Sequence, residues 1–126
     1  MVFSPKLIAF LATLDSARAR TFYESVLGLE FILEDDFAIV FNAGGVELRI
    51  QKVSALTPQP HTQLGWSVAS LDEVVTALRE RGASFEIYSF LDQDQNGIWI
   101  SPSGAKIAWL KDPDGNLLSV TEPSAA

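Results

Sequence analysis

The chain contains no cysteine, and that absence removes several kinds of chemistry at once. A disulfide framework, a thiolate nucleophile and a structural thiolate zinc site are all excluded. Histidine is nearly as scarce, with His61 the single example. No Ser-His-Asp arrangement can be assembled around it, and no phosphate-cradling glycine loop follows a strand. Basic clusters are missing as well: 9 Lys and Arg stand against 16 Asp and Glu, for a net charge of −7. Phosphate backbones and anionic membranes would be repelled by that balance, so neither nucleic acid nor a membrane is an expected partner. A cationic small molecule would be drawn in, although cytoplasmic proteins without such a ligand are often acidic too. Long apolar runs are also lacking. Leu7 to Leu14, closed by Asp15, is too short to span a bilayer and has no basic start or cleavage site, so a cytoplasmic protein is expected.

What remains is an ordinary globular composition, 48% hydrophobic and 20% charged over 126 residues. We expect a single domain over 1–126 with enough apolar surface for its own core. Lys6 to Thr13 reads as a strand, and Asp15 or Ser16 caps a helix. Its stripe Ala19, Phe22, Tyr23 and Val26 follows helical spacing, and Gly28 closes it. Strands follow at Glu30 to Glu34, Phe37 to Asn42 and Val46 to Val53, with turns at Asp35-Asp36 and Gly44-Gly45. Residues 54–62, with Pro58 and Pro60, form a linker. The order then repeats. Gln63 to Ala69 is a strand, Ser70 and Glu73 form a capping box, and Leu71, Val74, Val75 and Leu78 form a helical stripe closed by Gly82. Ser84 to Tyr88 reads as a sixth strand and 89–97 as a polar loop. Lys106 to Glu122 is a hairpin around Asp112-Pro113-Asp114-Gly115, where Asp112 can bond backbone two residues on and Gly115 accepts positive φ. The closing glycines Gly28 and Gly82 stand 54 positions apart. The expected architecture is α+β: two βαβββ modules, about 5–53 and 63–122, with a tail at 123–126. A ferredoxin-like sandwich fits eight strands and two helices poorly.

Strand alternation separates two faces. Val46, Leu48 and Ile50 oppose Glu47, Arg49 and Gln51. Leu64, Trp66 and Val68 oppose Gln63, Gly65, Ser67 and Ala69, and Leu118 and Val120 oppose Leu117, Ser119 and Thr121. One face of each strand suits packing under a helix. If the sheets curl, the other lines a wet, concave cleft; if they stay flat, it is plain surface.

Asp15 with Phe22-Tyr23-Glu24-Ser25-Val26-Leu27-Gly28-Leu29 resembles the D…FY…LGL signature of the glyoxalase, bleomycin-resistance and extradiol-dioxygenase superfamily, also called the vicinal oxygen chelate (VOC) superfamily. Asp112-Pro113-Asp114-Gly115-Asn116 resembles its DPDG hairpin, and the likeness runs from about Lys6 to Glu122. It implies paired βαβββ modules whose strands wrap a cleft, a homodimer, and in the family's enzymes a divalent metal held in that cleft. The ligand positions of those enzymes fall on Ile8, Glu47, Gln63 and Ser119. Ile8 has no donor atom and Ser119 only a neutral hydroxyl, so a site at Glu47 and Gln63 alone is short of donors and no metal cofactor is expected.

The candidate site residues are therefore ligand-binding ones: Glu47, Arg49, Gln63, Trp99, Trp109 and Ser119. Glu47 and Arg49 share a strand face, where they either meet a polar ligand or simply pair with each other. Glu47 is also the candidate catalytic base. Trp99 and Trp109 flank the turn Ser101-Pro102-Ser103-Gly104 and could stack on a planar or cationic ligand, whereas Trp66 has core parity. His61 is either an exposed linker residue or a substitute ligand beside Gln63. Asp92, Asp94 and Asn96 are spaced like the start of a calcium loop, but the bidentate glutamate and flanking helices are missing. The expected function is metal-independent binding of a small molecule, cationic or aromatic, of the bleomycin-resistance type. The alternatives are a lactoylglutathione-lyase-like lyase or isomerase, or a dioxygenase, using Glu47, and a non-catalytic dimeric interaction module.

Overall fold

The computed structural model describes residues 4–125. The first module contains β1 (Ile8–Thr13), α1 (Ser16–Thr21), a π-helical turn (Phe22–Val26), β2 (Glu30–Glu34), β3 (Ala38–Asn42) and β4 (Glu47–Lys52). The second contains β5 (Leu64–Ser67), α2 (Leu71–Glu80), β6 (Trp99–Ile100), β7 (Lys106–Lys111) and β8 (Leu117–Glu122). One sheet has the order β1-β4-β3-β2 and the other β5-β8-β7-β6. In each, the first strand of the module pairs in parallel with the last, and the other pairings are antiparallel. The fold is α+β with the βαβββ unit used twice. The boundary between the two compact units falls between Thr57 and Pro58, inside the predicted linker.

Alternation decides which face is buried, except in β3, where Ala38 and Val40 are buried as well as Ile39 and Phe41, and at Leu117 in β8. In the first unit Leu11, Ile39, Phe41, Leu48 and Ile50 are buried together with Ala19 and Tyr23. The Tyr23 ring sits 5.9 Å from that of Phe41. In the second unit α2 packs on β7 and β8 and buries Leu71, Val75 and Leu78, while the strands bury Ala108, Leu110, Leu118 and Val120.

The first helix is not the continuous α-helix its spacing predicts. Asp15 caps it, accepting from Arg18 N–H at 3.1 Å. After Thr21 the turn widens, and Leu27 N–H reaches back five residues to Phe22 O at 3.0 Å. Ala19 and Tyr23 are still buried, whereas Phe22 and Val26 are only half-buried, because the wider turn rotates the stripe. The predicted sixth strand at Ser84 to Tyr88 is also corrected. That segment makes one isolated bridge, Phe85 with Leu110, and the strand pairing with β7 is Trp99–Ile100. Gln93 is the reason. Its side chain accepts from Tyr88 N–H at 2.7 Å and donates to Glu86 O at 2.9 Å and Gly97 O at 2.8 Å, taking backbone groups that a ladder would use. Trp66 keeps its predicted parity but is half-buried rather than core.

The DPDG hairpin forms as predicted, with Lys111 opposite Leu117. Asp112 Oδ1 accepts from Asp114 N–H and Asn116 N–H, each at 2.9 Å, and Oδ2 accepts from Asn116 Nδ2 at 2.8 Å. Gly115 has φ +87° and donates its N–H to Asp112 O at 3.0 Å.

Candidate functional site

Each sheet has a second face that its helix does not cover, and the predicted site residues lie on these faces. In the first unit, register places Ile8 opposite Glu47, Phe10 opposite Arg49 and Ala12 opposite Gln51. Glu47 also faces Asn42 of β3, and Arg49 faces Val40. Residues directly opposite in a ladder project to one side, so Ile8, Phe10, Asn42, Glu47, Arg49 and Gln51 share this face. Glu47 Oε2 is 3.2 Å from the Arg49 guanidinium. Ile8 and Phe10 stay substantially exposed beside this ion pair.

The second unit differs in chemistry. Its open face carries Ser119 between Gly65 and Trp109, and Thr121 between Ser67 and Ile107, with Trp99 opposite Ile107. Trp99 and Trp109 have ring centroids 6.1 Å apart, and Tyr88 meets Trp109 edge-on at 5.8 Å. Phe90 extends the group, 5.4 Å from Tyr88 and 80% exposed. Exposed aromatic edges at these spacings form a ready stacking surface. Burial, then the Glu86 charge, push the Tyr88 phenol above its ordinary range, so it stays a neutral hydroxyl at physiological pH.

Gln63 lies just before β5 and donates its backbone N–H to Leu117 O at 2.8 Å. Its side-chain nitrogen is 3.2 Å from His61 Nδ1 and donates to His61 O at 3.1 Å. The structure thus brings His61 and Gln63 together, in an exposed position. Glu47 and Arg49 meet in the first unit, and Trp99, Trp109 and Ser119 share one face in the second. Asp94 is a turn residue instead: its Oδ1 accepts from Asn96 N–H at 2.8 Å and Ile98 N–H at 3.0 Å.

The four carried-over ligand positions do not fit a divalent cation. The first unit offers Glu47, already bound to a guanidinium, beside the donor-free Ile8. The second offers an amide already bonded to His61 and one neutral hydroxyl. Among the described residues, no group of three or more His, Asp or Glu is placed to hold a metal ion.

Three features of the open faces escape a reading of site residues from sequence. One is the close approach of Gly65 to Ser119, since alternation gives Gly65 only its face. The others are the turn that carries Tyr88 and Phe90 to Trp109, and the fold-back of Gln93 that holds it.

Comparison with known proteins adds the following. The family model for the glyoxalase/bleomycin resistance protein/dioxygenase superfamily matches residues 7–120. Among solved structures, a member of that superfamily from Sphaerobacter thermophilus superposes with a TM-score of 0.75 at 21% identity, covering 97% of this chain and 99% of that one. The bleomycin resistance determinant encoded on transposon Tn5 gives 0.72 at 19% identity, covering 95% and 98%. A lactoylglutathione lyase from Agrobacterium tumefaciens gives 0.71 at 19% identity, covering 94% and 93%. At such identities the likeness is one of fold. None of the curated proteins compared matches the chain.

Proposed function

The chain belongs to the glyoxalase/bleomycin resistance protein/dioxygenase superfamily, and from that premise we propose that it is a metal-independent binding protein for a small molecule with a planar aromatic group. One observation carries this reading. The open face of the second sheet gathers Tyr88, Trp99 and Trp109, with the exposed Phe90 beside them, over centroid spacings of 5.4 to 6.1 Å. Aromatic side chains left half-exposed on one face cost solvation unless something flat covers them. The poor donor set at the family's ligand positions points the same way. In this reading Gln63 and Ser119 donate hydrogen bonds to the ligand on the second sheet, and the protein is a cytoplasmic homodimer. No described helix is long and apolar enough to cross a membrane.

The test is a fluorescence and calorimetric titration of planar aromatic compounds against purified protein, with elemental analysis of the same sample. Binding that falls at least tenfold in Trp109→Ala, with metal well below one equivalent, is expected. A stoichiometric divalent metal that disappears in Glu47→Ala would overturn the reading, and light scattering reports the oligomer.

A second reading, a lyase, isomerase or dioxygenase with Glu47 as base, is favoured by one feature, the exposed place of Glu47 on the open face of the first sheet. It requires turnover that Glu47→Gln abolishes.

A further inference from the structure

The open face of the second sheet is stepped. Across one row β5, β8 and β7 present Gly65, Ser119 and Trp109 in register. Across the next, β5, β8, β7 and β6 present Ser67, Thr121, Ile107 and Trp99. Over these two rows, two adjacent strands carry nothing larger than threonine, and the two beside them carry the indoles. Gly65 is the deepest point of the step. Its φ is not in the left-handed region, so the backbone does not call for glycine there. A Cβ at Gly65 would lie 2.5 Å from Ser119 Oγ and 3.3 Å from Ser119 O. Glycine inside a strand weakens it, and the missing side chain leaves the Ser119 hydroxyl open from the β5 side. Among the described residues the side-chain hydroxyls of Ser67, Ser119 and Thr121 make no hydrogen bond within the protein.

Charge narrows what would rest on such a shelf. None of the register positions on this face is a carboxylate, and its one charge, Lys111, lies 3.5 Å from Glu86. Four acidic residues of this unit are engaged elsewhere: Asp72 with Lys106, Asp94 and Asp112 in turns, and Glu122 at the start of α2. Glu86 and Asp92 stand at the aromatic end, beside Tyr88 and Trp99, away from the register positions of Gly65 and Ser119. A cation over Gly65 and Ser119 would therefore meet no carboxylate in register with it. Directly opposed positions lie about 5 Å apart, so a ring over Gly65 and Ser119 reaches the Trp109 indole at stacking distance.

Building on the aromatic-face reading, we infer that Gly65 and Ser119 set its specificity, admitting an uncharged flat heteroaromatic ring that lies against Trp109 and accepts a hydrogen bond from Ser119 Oγ. Phthalazine, whose ring nitrogens accept hydrogen bonds, and naphthalene, which has the same outline without them, are the probes. Tetramethylammonium is the cationic control. Phthalazine is expected to bind about fivefold tighter than naphthalene, the worth of one net hydrogen bond. Ser119→Ala should erase that difference and leave naphthalene unchanged. Gly65→Val should weaken both at least tenfold. Gly65→Ala, which keeps the sheet intact if the valine variant does not fold, should weaken phthalazine the more by displacing the Ser119 hydroxyl. The inference is overturned if both Gly65 variants fold and bind both rings as the parent does, or if tetramethylammonium binds tighter than phthalazine. The aromatic-face reading fails separately, if Trp109→Ala leaves both rings bound unchanged.

Discussion

The two modules share a strand order, a helix-side core and a glycine after the helix, yet they differ in their strand-to-strand turns and on the faces turned away from the helix. Between β2 and β3 the turn is held by a carboxylate: Asp35 Oδ1 accepts from Phe37 N–H at 2.8 Å and Ala38 N–H at 2.9 Å. At the equivalent turn between β6 and β7 a neutral hydroxyl does this work, with Ser101 Oγ accepting from Ala105 N–H at 3.1 Å. The next turn reverses the pattern. Asn42, a neutral amide, accepts from Gly45 N–H at 2.7 Å, whereas in the second module Asp112 gathers three hydrogen bonds. The open faces diverge likewise, one an ion pair among aliphatic and aromatic side chains, the other indoles and hydroxyls. A duplicated topology therefore constrains the helix-side residues and leaves turns and open faces free to take different chemistry.

The largest effect should separate the two helical segments. Tyr23 in the π-helical turn is fully buried, and Tyr23→Ala is expected to cost about 4 kcal/mol, in the range of large aromatic deletions. Val75, equally buried in α2, is smaller, and Val75→Ala should cost about 2 kcal/mol. Urea unfolding of both variants measures this. Equal losses would mean that the widened turn relaxes around the cavity and anchors less than its burial implies.

The hairpin turns give the next contrast. Asp112→Ala removes a buried carboxylate that satisfies three donors, and should cost about 3 kcal/mol. Asn42→Ala removes the bond from Gly45 N–H and an exposed one to Glu30 Oε1 at 3.1 Å, and should cost about 1 kcal/mol. If the two midpoints in urea shift alike, the charge placed in the second module's turn is not what distinguishes them.

These contrasts also show how much could be read from residues alone. Alternation in Val46 to Gln51 and in Leu117 to Thr121, with glycines ending both helices, is a local signal, and it specified the modules and their faces. The sixth strand was misplaced because the competitor for its backbone is the Gln93 side chain, five residues after Tyr88 and invisible to periodicity. The π-helical turn hides for a related reason: one extra residue in a turn leaves the apolar spacing almost intact. On the second sheet, parity placed Gly65 and Ser119 on the open face, and Trp99 and Trp109 stood out as flanking a turn. The close approach of Gly65 to Ser119 was not legible, because it depends on the hydroxyl opposite it on another strand.

A smaller test concerns how α2 begins. Its N-cap is Ser70, which accepts from Glu73 N–H at 3.4 Å, and Leu71 N–H donates to Glu122 Oε1 of β8 at 2.9 Å. Among the described residues α1 shows only the local cap from Asp15. Ser70→Ala should cost about 1 kcal/mol, and Glu122→Ala a similar amount through its distant contact. A double-mutant cycle showing no coupling is expected, because the two groups serve different N–H donors.

The smallest effects divide the modules by pH. The hydrogen bonds from Phe37 and Ala38 hold the Asp35 carboxyl below its ordinary value of 3.8. The folded state therefore favours the ionised form, and the contribution is present above about pH 3.8 and lost as pH falls through the lowered value. Lys106 behaves in the opposite sense. The hydrogen bond and charge of Asp72, 3.1 Å away, hold its ammonium above the ordinary 10.5. Its contribution is present below that value and lost as pH rises through the higher folded one. Asp35→Ser, which gives the first module the second's kind of turn, should make the acid limb of the Tm–pH curve shallower and leave the alkaline limb alone. Lys106→Gln should do the reverse. If Asp35→Ser leaves the acid limb unchanged while Ser101→Asp steepens it, the ionised turn matters only in the second module, and the symmetry between the two turns is broken.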